Sequence, residues 1–139
     1  IWFWPNVDAG SDEISKIIRV FREKEKSNIF FVKNLSPENY LLLVNNAICC
    51  VGNSSSFIRE GSFLGVPAVI VGNRQMARER AKNILDVDFN KQQTSEAVLK
   101  QIKHGRYQRD YLYGNGQAVS KIVNVLASVK IFHQKFITY

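Results

Sequence analysis

Ala47-Ile48-Cys49-Cys50-Val51 is followed directly by Gly52-Asn53-Ser54-Ser55-Ser56, and this stretch decides the fold that the sequence predicts. The first part is apolar, as in a buried strand, and the second part is small and polar, as in a tight turn. After the turn, Phe57, Gly61 and Leu64 recur at helical spacing. The stretch therefore predicts a strand, a tight turn and a helix.

The same alternation of short apolar runs and helical patterns continues in both directions. Strands are predicted at Ile1–Trp4, Asn28–Val32, Ala47–Val51, Pro67–Val71 and Ile84–Val87. Helices are predicted from about Ser11 to Lys26, from Ser36-Pro37 onward, after Ser56, and over Ser95–Lys103 and Gln117–Lys130. Alternating units of this kind form a parallel sheet with helices on both faces. We therefore predict an α/β, Rossmann-like doubly wound fold.

The composition fits one ordinary domain and argues against two classes of partner. A chain of 139 residues with 45% apolar residues buries one core. The net charge of +7 would admit nucleic acid, but the basic residues are spread along the chain with acids between them. We therefore expect a solvated basic surface and no nucleic acid partner. Because no apolar run approaches the roughly 20 residues that span a bilayer, we expect no membrane partner.

Cys49 and Cys50 are the two cysteines of the chain, and they are adjacent in a predicted strand. Successive side chains of a strand point to opposite faces, so these two thiols do not easily form a disulfide. We interpret them as reduced residues of a cytoplasmic protein.

The turn at Gly52–Ser56 is the most informative site for chemistry. A small-residue turn at the start of a helix presents backbone N–H groups to an anion, and Ser54 and Ser55 add two hydroxyls. A phosphate would bind there. The alternative is that a serine only caps the helix, which is the commoner role for serine at such a position. On the residues alone, both interpretations stay open.

Two charged residues near this turn could each bind a ligand or be ordinary surface residues. Glu60 lies about a turn and a half into the helix, where a carboxylate could accept both hydroxyls of a ribose, or pair with Arg59. Arg74 follows the fourth strand at the edge where open α/β folds bind ligands, and arginine suits phosphate. Its alternative is a solvated loop arginine, the role that we assign to the nearby Arg78 and Arg80.

Four motifs occur in an order and spacing that together resemble a known family. They are Pro5-Asn6-Val7-Asp8-Ala9-Gly10-Ser11, Gly52-Asn53-Ser54-Ser55 with Arg59-Glu60, Gly72-Asn73-Arg74-Gln75 with Arg78-Glu79, and Tyr113-Gly114-Asn115-Gly116-Gln117-Ala118-Val119. The chain resembles the C-terminal half of the UDP-N-acetylglucosamine 2-epimerases, and the hydrolysing branch is the closer match. The resemblance implies one half of a GT-B architecture, with residues 1–130 as a UDP-binding domain and 131–139 as a C-terminal helix or tail.

The resemblance also implies a ligand and the residues that bind it. Ser54 and Ser55 would hold the diphosphate of UDP or UDP-N-acetylglucosamine, and Glu60 the ribose. Arg74 and Asn6 would line the phosphate and sugar side. The backbone of Leu35 and the ring of Tyr40 would border the uracil, although Tyr40 also fits the apolar stripe of its helix.

The family's reaction begins with proton abstraction at C2 of the sugar and anti elimination of UDP, and water adds to the intermediate. Hydrolysing members release N-acetylmannosamine and UDP, a step toward sialic acid-type sugars. The resemblance places the acid/base carboxylates and a phosphate-binding histidine upstream of Ile1, so we expect no catalytic residue here and an inactive isolated chain. His104 and His133 are expected to be surface residues. No metal or cofactor is implied, and the parent would be a homo-oligomer that includes an N-terminal domain.

Two other functions remain open at the level of sequence. The chain could be the donor-nucleotide domain of a GT-B glycosyltransferase, which an acceptor groove in the other half would favour. It could also be a non-enzymatic domain whose basic surface binds an anionic partner. A strong, salt-dependent affinity for nucleic acid would support that third function.

Overall fold

Short parallel strands alternate with helices in the part of the chain that the computed structural model describes, residues 1–6, 10–24 and 28–130. The chain divides into two compact units, Ile1–Asn46 and Ala47–Tyr139. Each unit is described by itself below. The predicted α/β class and the parallel pairing of the strands are confirmed, and the alternation of strands and helices is Rossmann-like; among the described residues the strands form two sheets, of two and three strands.

The first unit contains two strands and two helices. They are β1 (Trp2–Phe3), α1 (Ser11–Lys24), β2 (Phe31–Val32) and α2 (Pro37–Asn46). Strands β1 and β2 pair in parallel, with Trp2 opposite Phe31. The Trp2 ring lies 5.5 Å from the Phe21 ring and 5.8 Å from the Phe31 ring, measured between centroids. Aromatic contacts therefore join α1 to this short sheet.

Both helices of this unit begin where the sequence predicts. Asp12 and Glu13 lie in the first turn of α1, where the helix dipole favours negative charge. Helix α2 begins at Pro37, and the Ser36 hydroxyl accepts a hydrogen bond from the Asn39 amide at 3.4 Å. The predicted last residues of α1, up to Lys26, lie outside the described residues.

The second unit is built on a three-stranded parallel sheet. Its elements are β3 (Cys50–Gly52), α3 (Ser55–Leu64), β4 (Ala68–Val71), β5 (Ile84–Val87), α4 (Lys91–His104) and α5 (Ala118–Ser128). The strand order is β3-β4-β5, so β4 is central. Its residues Ala68, Val69 and Ile70 are fully buried, as a near-continuous apolar strand of a covered parallel sheet should be.

Most strands are shorter than predicted, whereas β5 has the predicted bounds and α4 is longer than predicted. Helix α4 begins at Lys91 and not at Ser95, because the Asn90 side chain accepts a hydrogen bond from the Gln93 amide at 3.0 Å. Helix α5, predicted over Gln117–Lys130, spans Ala118–Ser128, and its apolar residues Ile122 and Val125 are exposed, as is the following Val129. Residues 131–139 lie outside the described part.

A buried glutamine joins α4 to the sheet and its loops. Gln101 is fully buried, and its Nε2 donates to the carbonyl oxygens of Ala68 and Asn83, both at 2.8 Å. Its Oε1 accepts a hydrogen bond from the Tyr107 hydroxyl at 2.7 Å. Because all these groups are paired, their burial carries little penalty. The helical pattern gave no sign of this role, since glutamine usually faces water.

The two cysteines are free, as the sequence predicts. Cys50 is buried in β3 and Cys49 is half-buried. Burial, and secondarily the neighbouring Cys49 thiol, raises the pKa of Cys50 to about 12. Burial also raises the pKa of Cys49. Both thiols therefore keep their protons at neutral pH.

Gly65 should be the least replaceable glycine of the second unit. It ends α3 with φ +68°, and a Cβ there would overlap the carbonyl oxygen of Tyr107. We expect Gly65→Ala to lower the free energy of unfolding by about 3 kcal/mol or more, since left-handed strain of about 1–2 kcal/mol is added to a backbone clash. Urea denaturation measures this loss. Gly116→Ala is the control, with φ +83° and open space, and an equal loss in both variants would contradict the clash.

The two thiols should differ in reactivity. Thiol modification needs the thiolate. Cys50 is the more buried thiol and its pKa is raised to about 12, so it should react with a disulfide reagent at pH 8 mainly when the chain unfolds. Cys49 should react faster. Single Cys49→Ser and Cys50→Ser variants separate the two rates. Equal rates for the two cysteines would contradict this difference in reactivity.

The raised pKa values also predict how stability depends on pH. Because the folded thiols hold protons that the unfolded chain loses near pH 9, the free energy of unfolding should fall as the pH rises above that value.

Candidate functional site

The turn after β3 lies at the carboxyl edge of the three-stranded sheet. Strands β3 and β4 are parallel neighbours, with Gly52 opposite Ile70, so the turn after Gly52 and the loop after Val71 leave the sheet at the same edge. Gly52 has φ +146°, which L side chains rarely adopt, so glycine is required to leave the strand at this angle. This is the edge at which open α/β folds bind ligands.

Ser54 is the N-cap of α3. Its backbone is extended, and its hydroxyl accepts a hydrogen bond from the Ser56 amide at 3.3 Å and lies 3.1 Å from the Ser56 hydroxyl. The capping role that the sequence left open is therefore present at Ser54. Ser55, half-buried, is the first residue of the helix. Binding of a diphosphate by Ser54 and Ser55 stays a prediction.

Glu60 has a carboxylate oxygen that the described residues leave unpartnered. The side chain is half-buried, and its Oε2 is buried with no hydrogen-bond partner within residues 1–6, 10–24 and 28–130. The alternative of a pair with Arg59 does not account for this atom. A buried acceptor without a donor is costly, and such an atom requires an explanation. A hydroxyl donor from a ligand would supply one.

The loop after β4 is joined directly to the turn after β3. Gln75 is 6% exposed, and its Nε2 donates to the carbonyl oxygen of Asn53 at 2.9 Å. Arg74, the neighbour of Gln75, is exposed. The structure therefore brings the loop that carries Arg74 against the turn that carries Ser54 and Ser55.

Arg78 is an exposed loop arginine as predicted, although it has a hydrogen-bond partner, whereas the prediction was wrong for Arg80, which is only 21% exposed. Arg78 Nε donates to Gln75 Oε1 at 2.7 Å. Arg80 Nη2 donates to the carbonyl oxygen of Gln75 at 2.7 Å and pairs with Asp86 at 2.9 Å. Sequence alone identified neither the partners nor the role of Gln75, because these contacts depend on how the loop folds back on itself.

The remaining candidates belong to the first unit. Asn6 is exposed, and the Leu35 amide donates to the Asn34 side chain at 2.9 Å. The Tyr40 ring contacts the Phe3 ring edge-on at 5.6 Å, so the core role that the sequence allowed for Tyr40 is present. Uracil and sugar contacts by these three residues stay predictions.

Two further features of the second unit bear on the site. His104 is exposed and stacks on Tyr107 with ring centroids 3.9 Å apart, as expected for a surface histidine; His133 lies outside the described residues. An open groove of about 400 Å³ borders the loop after β4 on the β5 side, lined among others by Asn73, Arg80 and Asp86. The turn at Ser54 and Glu60 is not part of its lining. The candidate site is therefore defined by the chemistry of its side chains and not by a pocket.

The strands, helices and sheet edge just described are those of an α/β domain of the Rossmann-like class. The family model described as UDP-N-acetylglucosamine 2-epimerase matches residues 1–127. The chain belongs to this family.

Three curated relatives are similar to the chain. A UDP-N-acetylglucosamine 2-epimerase of Neisseria meningitidis is 28% identical over 84% of this chain and 30% of its own length. A hydrolysing UDP-N,N'-diacetylbacillosamine 2-epimerase of Legionella pneumophila is 26% identical over 94% of this chain and 34% of its own. A hydrolysing GDP/UDP-N,N'-diacetylbacillosamine 2-epimerase of Campylobacter jejuni is 34% identical over 61% of this chain and 22% of its own. The chain thus spans about a third or less of each. Within the described residues, every helix is too short or too polar to cross a membrane.

The cap of α3 can be tested apart from any ligand. Ser54→Ala removes the acceptor of the Ser56 amide and should lower the free energy of unfolding by about 1 kcal/mol. Ser55→Ala, at the first helical position, should change it by less than about 0.5 kcal/mol. Urea denaturation of both variants measures the difference. A larger loss at Ser55 than at Ser54 would show that the cap is assigned to the wrong serine.

Proposed function

We propose that this chain is the UDP-binding domain of a UDP-N-acetylglucosamine 2-epimerase of the hydrolysing type. Family membership supports the epimerase class, and two of the three relatives above carry the word hydrolysing in their names. The hydrolysing parent would eliminate UDP from UDP-N-acetylglucosamine and release N-acetylmannosamine. Its partners would be the UDP-sugar and an N-terminal domain.

The observation that carries the nucleotide-binding proposal is the unpartnered Oε2 of Glu60 on the helix that the Gly52–Ser56 turn begins. The turn offers what a diphosphate needs, namely N–H groups at a helix start and the positive end of the helix dipole. The Glu60 carboxylate offers what a ribose needs, namely acceptors for its two hydroxyls. One helix therefore supplies complementary groups to two adjacent parts of a nucleoside diphosphate.

Arg74 completes this proposed set in the second unit. It lies beside Gln75, and Gln75 is hydrogen-bonded to the turn itself. A guanidinium presents donors in a planar fork that fits phosphate oxygens. We assign Arg74 to the phosphates, Ser54 and Ser55 to the diphosphate, and Glu60 to the ribose.

Binding by Glu60 is tested with a pair of nucleotides and a pair of variants. Titration calorimetry should give UDP binding that Glu60→Gln weakens about tenfold or more, because hydrogen bonds to a charged group contribute about 1.5–3 kcal/mol. The analogue 2′,3′-dideoxy-UDP should bind more weakly to the unaltered chain and be insensitive to Glu60→Gln. Glu79→Gln, at an exposed loop position, is the matched control and should leave the UDP affinity unchanged.

Two results would end this assignment. If titration with UDP gave no more heat than titration with an adenine nucleotide, the proposed nucleotide site would be wrong. If Glu60→Gln weakened the binding of UDP and of dideoxy-UDP equally, Glu60 would not bind the ribose hydroxyls and would act only through its charge.

The activity is tested by analysis of products from UDP-N-acetylglucosamine. We expect the 139 residues alone to release no UDP, and the full-length gene product to release UDP with N-acetylmannosamine. Formation of UDP-N-acetylmannosamine would assign the parent to the non-hydrolysing type. Transfer of the sugar to an acceptor would contradict the epimerase assignment.

A further inference from the structure

The two loops at the carboxyl edge of the three-stranded sheet are joined by one buried side chain. Gln75 is 6% exposed, and its Nε2 donates to the carbonyl oxygen of Asn53 at 2.9 Å. The two residues are 22 positions apart in the chain. Ser54, the cap of α3, follows Asn53 directly, so Gln75 is hydrogen-bonded to the residue just before the cap.

The orientation of this carboxamide is set by its neighbours. Arg78 Nε donates to Gln75 Oε1 at 2.7 Å. A guanidinium has no acceptor, so the oxygen of the carboxamide must face Arg78, and a carbonyl has no donor, so the amide nitrogen must face Asn53. The assignment of oxygen and nitrogen therefore follows from the chemistry of both partners.

A second arginine anchors the Gln75 backbone to the sheet. Arg80 Nη2 donates to the carbonyl oxygen of Gln75 at 2.7 Å and to Asp86 Oδ1 at 2.9 Å. Asp86 belongs to β5, which pairs with β4. A continuous series of hydrogen bonds thus runs from β5 through Arg80 and Gln75 to the turn after β3.

Fixing the Asn53 carbonyl has a direct consequence for the next amide. In a trans peptide the C=O of one residue and the N–H of the next point in opposite directions. Because Gln75 holds the Asn53 carbonyl, it also fixes the direction of the Ser54 N–H. That N–H belongs to the turn to which we assign the diphosphate.

We propose that Gln75 is a positioning residue of the nucleotide site, which orients the Asn53–Ser54 peptide toward the diphosphate and keeps the loop of Arg74 against the turn. The ligand class is a nucleoside diphosphate, and this inference rests on the proposed function. Arg78 and Arg80 act on the ligand only through Gln75. Preorganised donors bind an anion more tightly because less order is lost on binding.

Gln75→Met tests the proposal, with Gln101→Met as the matched control. Both substitutions replace a buried glutamine by a side chain of similar length without its hydrogen bonds. Gln101 contacts Ala68, Asn83 and Tyr107, and none of these belongs to the turn. A general loss of stability should therefore be at least as large in Gln101→Met.

Two readouts are measured on the same samples. The first is the set of backbone amide resonances of Ser54–Phe57 in the UDP-free chain, which should move in Gln75→Met and stay in place in Gln101→Met. The second is the dissociation constant of UDP by calorimetry, which should rise about five- to tenfold in Gln75→Met and less than twofold in Gln101→Met. If Gln75→Met does not fold, Gln75→Glu keeps the acceptor for Arg78, lacks the donor to Asn53 and should shift the same resonances.

The outcomes separate this inference from the function on which it rests. Unmoved Ser54–Phe57 resonances in the Gln75 variants would overturn the positioning role, and so would a loss of UDP affinity no greater than in Gln101→Met. If the unaltered chain bound no UDP, the nucleotide site itself would be refuted. The amide resonances would still decide whether Gln75 sets the geometry of the turn.

Discussion

The parallel register between β3 and β4 is the constraint on which the candidate site depends. It places Gly52 opposite Ile70, so both chain segments leave the sheet at one edge. Helix α3 then begins where the loop of Arg74 emerges. Ala68, Val69 and Ile70 point alternately to the two faces of the sheet and are all fully buried, so apolar packing on both faces holds β4 in place. The site is in this sense a consequence of core packing, because apolar burial sets the positions of the polar loops.

Buried polar groups around this sheet differ in whether the protein itself satisfies them. Gln75 and Gln101 use both ends of their carboxamides in hydrogen bonds, and each joins segments that are distant in sequence. Asn83 donates through Nδ2 to the Val66 carbonyl at 2.8 Å, while its Oδ1 has no partner among the described residues. Glu60 differs from these amides because it is only half-buried and carries a charge. Of the two described residues that carry an unpartnered oxygen, Glu60 is therefore the less buried one.

The strand–turn–helix at Ala47–Ser56 was predictable because local signals agree there: an apolar run, a glycine with positive φ and a serine before a helical pattern. Helix α4 was predicted too short, since Asn90 as a cap was overlooked in favour of the later apolar residues. The Gln75 contacts were not predictable, because hydrogen bonds between loops depend on tertiary structure and leave no periodic pattern in the sequence. The prediction for Arg80 was wrong for the same reason. The motifs of the family resemblance predicted the candidate site, and the structure shows how its turn is held.

Capping by Ser54 and binding of an anion by the same turn are compatible. A serine hydroxyl has one donor and two acceptor lone pairs, and the cap uses an acceptor for the Ser56 amide. The cap therefore satisfies one of the free N–H groups at the helix start, and the Ser54 hydroxyl proton can point either to Ser56 Oγ, 3.1 Å away, or to a ligand. The Phe57 amide donates to the Ser54 carbonyl oxygen at 3.3 Å, and the helix start keeps the positive end of its dipole. Because the cap also fixes the path of the chain between Asn53 and Ser56, it strengthens the same geometry that Gln75 holds from the other side. The two interpretations that the sequence left open, a structural serine and a phosphate-binding serine, are therefore not mutually exclusive.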